Sequence, residues 1–403
     1  MAPTIFRNAV ASVTKPPTLL MLLGEEQTGW CRQFSEEGYS VIHVVYPPAP
    51  ETSFQESLKD AEKEIFNLGA DWSLITYGLR SKDARTLLSL FALSLADLKA
   101  CVHYCPVSQS GKGFLVRDGE MKYYPTVFHL SSKQEDLHAS LLPLNDTEAL
   151  EHDPKTSSYP PLSVFTYPLV PEYPPFPFLT KAPALIKEGD GAEVDPHILS
   201  ANNLAHSRTL AVLKRNLGPH YDLEKLWEAH TYFEFVERDA PKTMSTMVPS
   251  PYVNHVPTMT GGVGYTDLAR FYKHHFTNDK VTPPDTEIIT VSRTVGADRV
   301  VDEMIFKCTH TTEIDYFLPG VAPTGKPLSI AMVGVIAFRG DKLCFEHLYW
   351  DQASVLVQIG LLEATNLPIA GVETTQKVLN PYSRPSNTLL ARWTTSEGSC
   401  NAA

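Results

Sequence analysis

The chain has 403 residues, 43% of them hydrophobic and 20% charged, and a formal net charge of −12. That length exceeds one ordinary core and suits two domains. The acidic balance disfavours nucleic acid and anionic membranes as partners, and no apolar run approaches the ~18–20 residues of a membrane span.

Residues 1–24 hold Arg7 and Lys15 and no acid, but lack the charged-then-apolar layout of a secretory signal. They read as a frayed start before the first strand. Short apolar runs then predict strands at Thr18–Leu23, Ser40–Val45, Trp72–Thr76, Ala100–Tyr104, Pro125–Leu130 and Leu162–Tyr167. Helical spacing lies between several of them. Leu58, Ile65 and Phe66 mark one helix, and Leu87, Leu88, Phe91 and Leu95 another, with Ser81 as its N-cap. Strand–helix alternation predicts a doubly wound parallel sheet. Tyr159–Phe178 is rich in proline but contains a good strand, so it stays inside this domain. A last helix over Asn203–Leu217 stops at Gly218-Pro219.

A second unit opens at Asp222, an N-cap for a helix carrying Leu223, Leu226, Trp227, His230 and Phe233. Another helix follows Thr266. Only strands are predicted after it, at Glu287–Val295, Arg299–His310, Leu328–Phe338 and Lys342–Asp351, an α+β order. The expected domains are 1–219 and 220–365, with a polar tail over 366–403.

The six cysteines, Cys31, Cys101, Cys105, Cys308, Cys344 and Cys400, are sparse and mostly embedded in apolar runs. They predict reduced, packed thiols and a cytoplasmic setting. No CxxC or HExxH pattern occurs, so no metal site is predicted, and no nucleotide or flavin motif implies a cofactor.

Residues 18–215 resemble the dienelactone hydrolase branch of the α/β-hydrolases in strand order and in the closing helix. That fold carries its nucleophile on a G-x-[SC]-x-G elbow. Here the elbow reads Thr76-Tyr77-Gly78-Leu79-Arg80, with Gly78 where the Ser or Cys belongs. The acid segment reads His129-Leu130-Ser131-Ser132-Lys133-Gln134, with Glu135 and Asp136 one and two residues on. The segment that should hold the histidine, Tyr167-Pro168-Leu169-Val170-Pro171-Glu172, has none. The triad is degenerate, and the resemblance implies an inactive hydrolase frame.

Residues 222–365 resemble the SnoaL-like polyketide cyclases, of nuclear-transport-factor-2-like fold. The segments that carry the resemblance are Tyr252-Val253-Asn254-His255-Val256-Pro257 with Gly261-Gly262, Thr309-His310-Thr311, Pro323-Thr324-Gly325-Lys326, and Gly340-Asp341-Lys342-Leu343 running into FEHLYWD. The resemblance implies an α+β cone around a cavity, and a pairing of cones into a homodimer.

The strands support a cavity without the family. Asp302, Met304, Phe306 and His310 share one face of their strand, because side chains alternate. On the last strand His347, Tyr349 and Asp351 share one face, and Glu346 and Trp350 the other, so only one of Glu346 and His347 can line a cavity. His255 is a candidate for proton transfer with Asp351, although His255 could bond backbone and Asp351 could cap a following helix. His310 and Glu346 or His347 would orient them. Tyr252, Asn254, Tyr349, Trp350, Phe306 and Met304 are candidate substrate contacts. His230, His274 and His275 read as structural or exposed. The expected activity is a cofactor-free cyclisation or isomerisation, with a pericyclic course among its forms, of a hydrophobic oxygenated intermediate of polyketide or terpenoid origin. The alternatives are a non-catalytic binding or assembly protein and a residual dienelactone-type hydrolase.

Overall fold

The structure is a computed structural model that describes residues 2–50, 52–92, 94, 97–117, 123–145, 162–170 and 195–397. The chain forms two compact units, Met1–Tyr221 and Asp222–Ala403. None of the described helices is long and apolar enough to cross a membrane.

The first unit runs β1 (Thr4–Phe6), β2 (Thr18–Leu23), α1 (Thr28–Glu36), β3 (Ser40–Val45), α2 (Phe54–Leu68), β4 (Trp72–Tyr77), α3 (Ser81–Phe91), β5 (Leu98–Tyr104), β6 (Thr126–Ser131), α4 (Glu135–Asn145), β7 (Leu162–Tyr167) and α5 (Pro196–Asn216). Its sheet has the order β1-β3-β2-β4-β5-β6-β7. The all-parallel expectation fails at one edge, where β1 pairs antiparallel with β3. Every residue of β2 and β4 is buried, as central strands covered on both faces require. Leu20, Leu22, Ile42, Val44, Leu74 and Phe128 pack in one core cluster with Leu58, Leu87 and Leu141 of the helices. On the other face Tyr104 and His129 both meet Thr209 of α5.

The helix termini explain several boundaries. The Ser53 hydroxyl caps α2, which ends at Gly69 with φ of 59°. Asp195 caps α5 ahead of Pro196, so this helix starts before the expected Asn203. Ser81 is not a cap. Arg80 holds that position without a side-chain bond, and Ser81 is the first helical residue. Phe66 is 85% exposed, so it belongs to the outer face of α2. Leu95, Cys400 and most of Tyr159–Phe178 lie outside the described residues, as do Pro171 and Glu172.

At the end of β4, Gly78 has φ of 61° and nothing within 4 Å of where a Cβ would stand. Gln134 accepts from Ser131 N and donates to Pro106 O, so its side chain serves the turn before α4. Glu135 and Asp136 are exposed on that helix. Cys101 is buried, and burial pushes its thiol up to about 12, the state of an inert core thiol.

The second unit runs α6 (Leu223–Thr231), α7 (Ala240–Ser245), β8 (Met247–His255), β9 (Thr260–Val263), α8 (Tyr265–Phe271), β10 (Glu287–Val295), β11 (Arg299–Thr309), β12 (Pro327–Arg339), β13 (Lys342–Trp350), α9 (Gln352–Ile359) and α10 (Glu373–Leu379). Asp222 caps α6 as its sequence predicts. Both α6 and α8 run on into a wider π turn, Tyr232–Val236 and Tyr272–Phe276. The sheet order is β10-β11-β12-β13-β8-β9, with β13 parallel to β8 and the other pairs antiparallel. Two helices follow the strands instead of none. The expected tail contains α10, whose Thr375 is hydrogen-bonded to Ser329 of β12. Gly261 and Gly262 have a packing reason: a Cβ on the first would collide with Val253 O and on the second with Leu268 N.

Candidate active site

Period-two alternation decides which side chains of the second sheet face inward. On β8, Val253 and His255 are buried, while Tyr252 and Asn254 are half-buried on the outer face. On β13, Glu346 and Leu348 point in, and Phe345, His347 and Tyr349 point out. The inward faces and the two π turns enclose a cavity of about 500 Å³, the size of a small-molecule site. Its walls are apolar and aromatic, with Phe235, Phe276, Tyr316 and Phe317 beside Met304, Phe306, Met332 and Leu348.

The polar groups gather at two places. At the first, the His230 imidazole is fully buried, with Nε2 3.0 Å from Glu234 Oε1 and 3.0 Å from Glu346 Oε1. Its Nδ1 lies 2.6 Å from Thr246 Oγ1. His230 and Glu234 are four residues apart, which sets them on one helical face, and Glu346 meets them from β13. Burial works against charge on His230, but the two carboxylates prevail and raise its pKa to about 10. Burial raises the pKa of Glu346, and His230 opposes that rise. The Tyr272 hydroxyl is 3.4 Å from His230 Nε2.

His255 is a further ionisable group of the cavity lining. It stands opposite Leu348 in register, so Glu346 is its diagonal neighbour on the inward face. Its Nδ1 lies 3.2 Å from Thr260 O. A carbonyl only accepts, so the ring proton sits on Nδ1 and Nε2 is unprotonated. Burial drives the pKa of His255 down to about 4, despite the opposing pull of Thr260 O and Glu346.

The second polar place is Asp302. Arg293 donates to it through Nε at 2.7 Å and Nη2 at 2.8 Å, and Trp227 Nε1 donates at 2.8 Å. A bulge between Thr290 and Ser292 shifts the register of β10 and sets Arg293 opposite Asp302.

Of the expected site residues, His255, Glu346, Met304 and Phe306 line the cavity. His347 stands on the outer face beside Tyr252, with ring centroids 5.3 Å apart, and Tyr349 is 44% exposed. Tyr252 and Asn254 share that outer side because they flank the inward Val253. Trp350 packs edge-on against Phe317, a cavity wall, with ring centroids 4.5 Å apart. His310 is buried where Nδ1 meets Thr324 Oγ1 at 3.0 Å, which ties the loop back to β11 and sets it apart from the cavity lining. The expected pairing of His255 with Asp351 is not formed. Asp351 accepts from Ala353 N at 3.0 Å and from Ser354 Oγ at 2.5 Å, as the N-cap of α9. His230, read from sequence as structural or exposed, is at the centre of the polar cluster.

Asp351→Ala should therefore lose about 1 kcal/mol of stability, the worth of a cap, with turnover retained. A tenfold fall in product formation at an unchanged melting temperature would return Asp351 to the chemistry.

Residues 229–359 match the family model of the SnoaL-like polyketide cyclases, so this segment carries a SnoaL-like domain. Among solved structures the chain is similar to TsrD from Streptomyces laurentii, at 16% identity over 35% of this chain and 96% of that one, with a TM-score of 0.28. It is similar to a protein with a ketosteroid isomerase-like fold from Catenulispora acidiphila, at 18% over 34% and 94%, TM-score 0.27. An NTF2-like protein of unknown function from Burkholderia pseudomallei is similar at 17% over 35% and 98%, TM-score 0.26. No curated protein matches the chain.

Proposed function

We propose that the second unit is a cyclase or isomerase for an apolar, oxygenated small molecule of polyketide or terpenoid type, acting by proton transfer next to a carbonyl. One observation carries the reading. On the inward face of the β8–β13 pair, a neutral imidazole and a carboxyl with a raised pKa are diagonal neighbours in an apolar cavity. Environments that push two titratable groups apart divide the roles of base and acid between them. His255 Nε2 takes the proton from the carbon beside the carbonyl. The developing enolate oxygen is met by the end of the cavity lined by Glu346 and Tyr272, with His230 behind them, where a donor in an apolar setting is worth more than in water. Return of the proton at another carbon isomerises the substrate; attack of the enolate carbon on a second carbonyl of the same molecule closes a ring. The match of residues 229–359 to the SnoaL-like polyketide cyclases supports this class of reaction.

For the first unit we infer a hydrolase-like frame without a nucleophile. The sheet order and the left-handed Gly78 at the end of β4 support that reading.

Deuterium uptake tests the cavity chemistry. In heavy water the protein should speed exchange of the protons beside the carbonyl in apolar aryl alkyl ketones. Met304→Trp, which fills the cavity, should abolish the acceleration. Exchange no faster than in buffer across a panel of such ketones would overturn the proposal.

A further inference from the structure

With both carboxyls ionised, the His230 cluster holds one proton too few for its geometry. Thr246 Oγ1 donates its only proton to Thr243 O at 2.6 Å. With its proton there it accepts at its contact with His230, and Nδ1 of His230 carries the hydrogen. A neutral His230 would then turn the lone pair of Nε2 on two carboxylates. An imidazolium has a single Nε2 proton for two oxygens that are both 3.0 Å away. The Glu234 contact has hydrogen-bond geometry, and Glu346 Oε1, buried, is left without a donor. Leaving a buried charged oxygen unsatisfied is costly.

We propose that His230 Nε2, Glu234 and Glu346 bind one divalent transition-metal cation of the Zn²⁺ or Mn²⁺ class at the polar end of the cavity. The candidate ligand atoms all lie within 4.8 Å of one another. Two ligands at ~2.1 Å from an ion stand ~3.0 Å apart at the right angles of octahedral Mn²⁺ and ~3.4 Å apart at the tetrahedral angle of Zn²⁺, and each carboxylate oxygen is 3.0 Å from Nε2. One imidazole and two carboxylates suit Zn²⁺ or Mn²⁺, whereas Ca²⁺ asks for six to eight oxygens. The Nδ1–Thr246–Thr243 chain is the outer support that a metal-bound histidine uses to fix its tautomer. The ligands come from α6, its π turn and β13, so the site is made of regular elements and opens on the cavity, where a substrate oxygen could complete it. No linear motif announces it because its third ligand is on the last strand.

The inference rests on the reading of this cavity as the reaction chamber, where a cation would take the place of the Glu346 proton as the group that meets the enolate oxygen, but its test needs no substrate. Tag-free full-length protein is stripped with a chelator, dialysed against ZnCl₂ or MnCl₂, desalted and analysed for metal. The wild type should retain one equivalent per chain, and CoCl₂ should give a visible ligand-field spectrum. Glu346→Gln keeps the shape of the side chain and should weaken binding at least ~100-fold. Thr246→Val, which removes only the outer support, should weaken it ~10–100-fold. Melting curves show that each variant is folded. His347→Ala, an outer-face control, should bind as the wild type does. Loss of binding in that control, retention of metal in folded Glu346→Gln, or no stoichiometric uptake by the wild type would each overturn the site. Failed uptake leaves the deuterium-exchange reading intact, and failed exchange with full uptake removes that reading alone.

Discussion

His255→Gln is expected to lower turnover by ~10²-fold or more while the protein stays folded. Glutamine nearly fills the space of the imidazole, and its amide can still donate to Thr260 O. It cannot accept a proton at neutral pH, so the loss isolates the base. The wild-type rate supplies a second readout. Because burial holds His255 near a pKa of about 4, the base is already unprotonated at neutral pH. The rate should be flat across the neutral range and fall only as the pH drops toward 4. Added imidazole in the smaller His255→Gly variant should restore part of the rate. Full activity in His255→Gln would remove the base from the mechanism and favour folding of a reactive chain by cavity shape alone.

Much of the scaffold was legible because it rests on local rules. Thr18–Leu23 is an uninterrupted apolar run, and the structure gives it the same ends. Thr4–Phe6 is too short for any period to register, and the antiparallel edge went unseen with it. Pro249 and Pro251 hid β8. They are tolerated because its pairing to β13 skips from Met247 to Tyr252 and leaves that stretch outside the ladder. Alternation correctly grouped Asp302, Met304 and Phe306, and it showed that Glu346 and His347 must part. It could not say which of the two faces in, since that depends on the helix covering the sheet. The His230–Glu234 spacing is visible in the sequence, yet its meaning comes from Glu346, a partner remote in the chain. Asp351 is the reverse case: its signal as a cap was local, and its remote pairing with His255 is the part that does not form.

Arg293→Met should destabilise the second unit by about 2–3 kcal/mol. Removing one partner of a buried ion pair costs ~3–5 kcal/mol, because the other charge is left in place without water. Asp302 is such a charge, at 2% exposure, gripped by two guanidinium nitrogens. The lower figure is expected because Trp227 Nε1 still donates to Asp302 in the variant, and the other Arg293 contacts, to Glu224 and Glu228, are exposed and add little. The sequence masks this pair, since a strict alternation from Ile288 and Thr290 would turn Ser292 inward and Arg293 out. A second substitution separates the cost of a stranded charge from the cost of lost packing. In Arg293→Met with Asp302→Asn the carboxylate is gone, and Trp227 Nε1 keeps a carbonyl acceptor at the same place. Most of the lost stability should return, although the double variant has no ion pair at all. Calorimetric melts of the full-length single and double variants measure the difference directly. A double variant no more stable than Arg293→Met would mean that the guanidinium acts by filling space in the cavity wall, with its charge irrelevant to the fold.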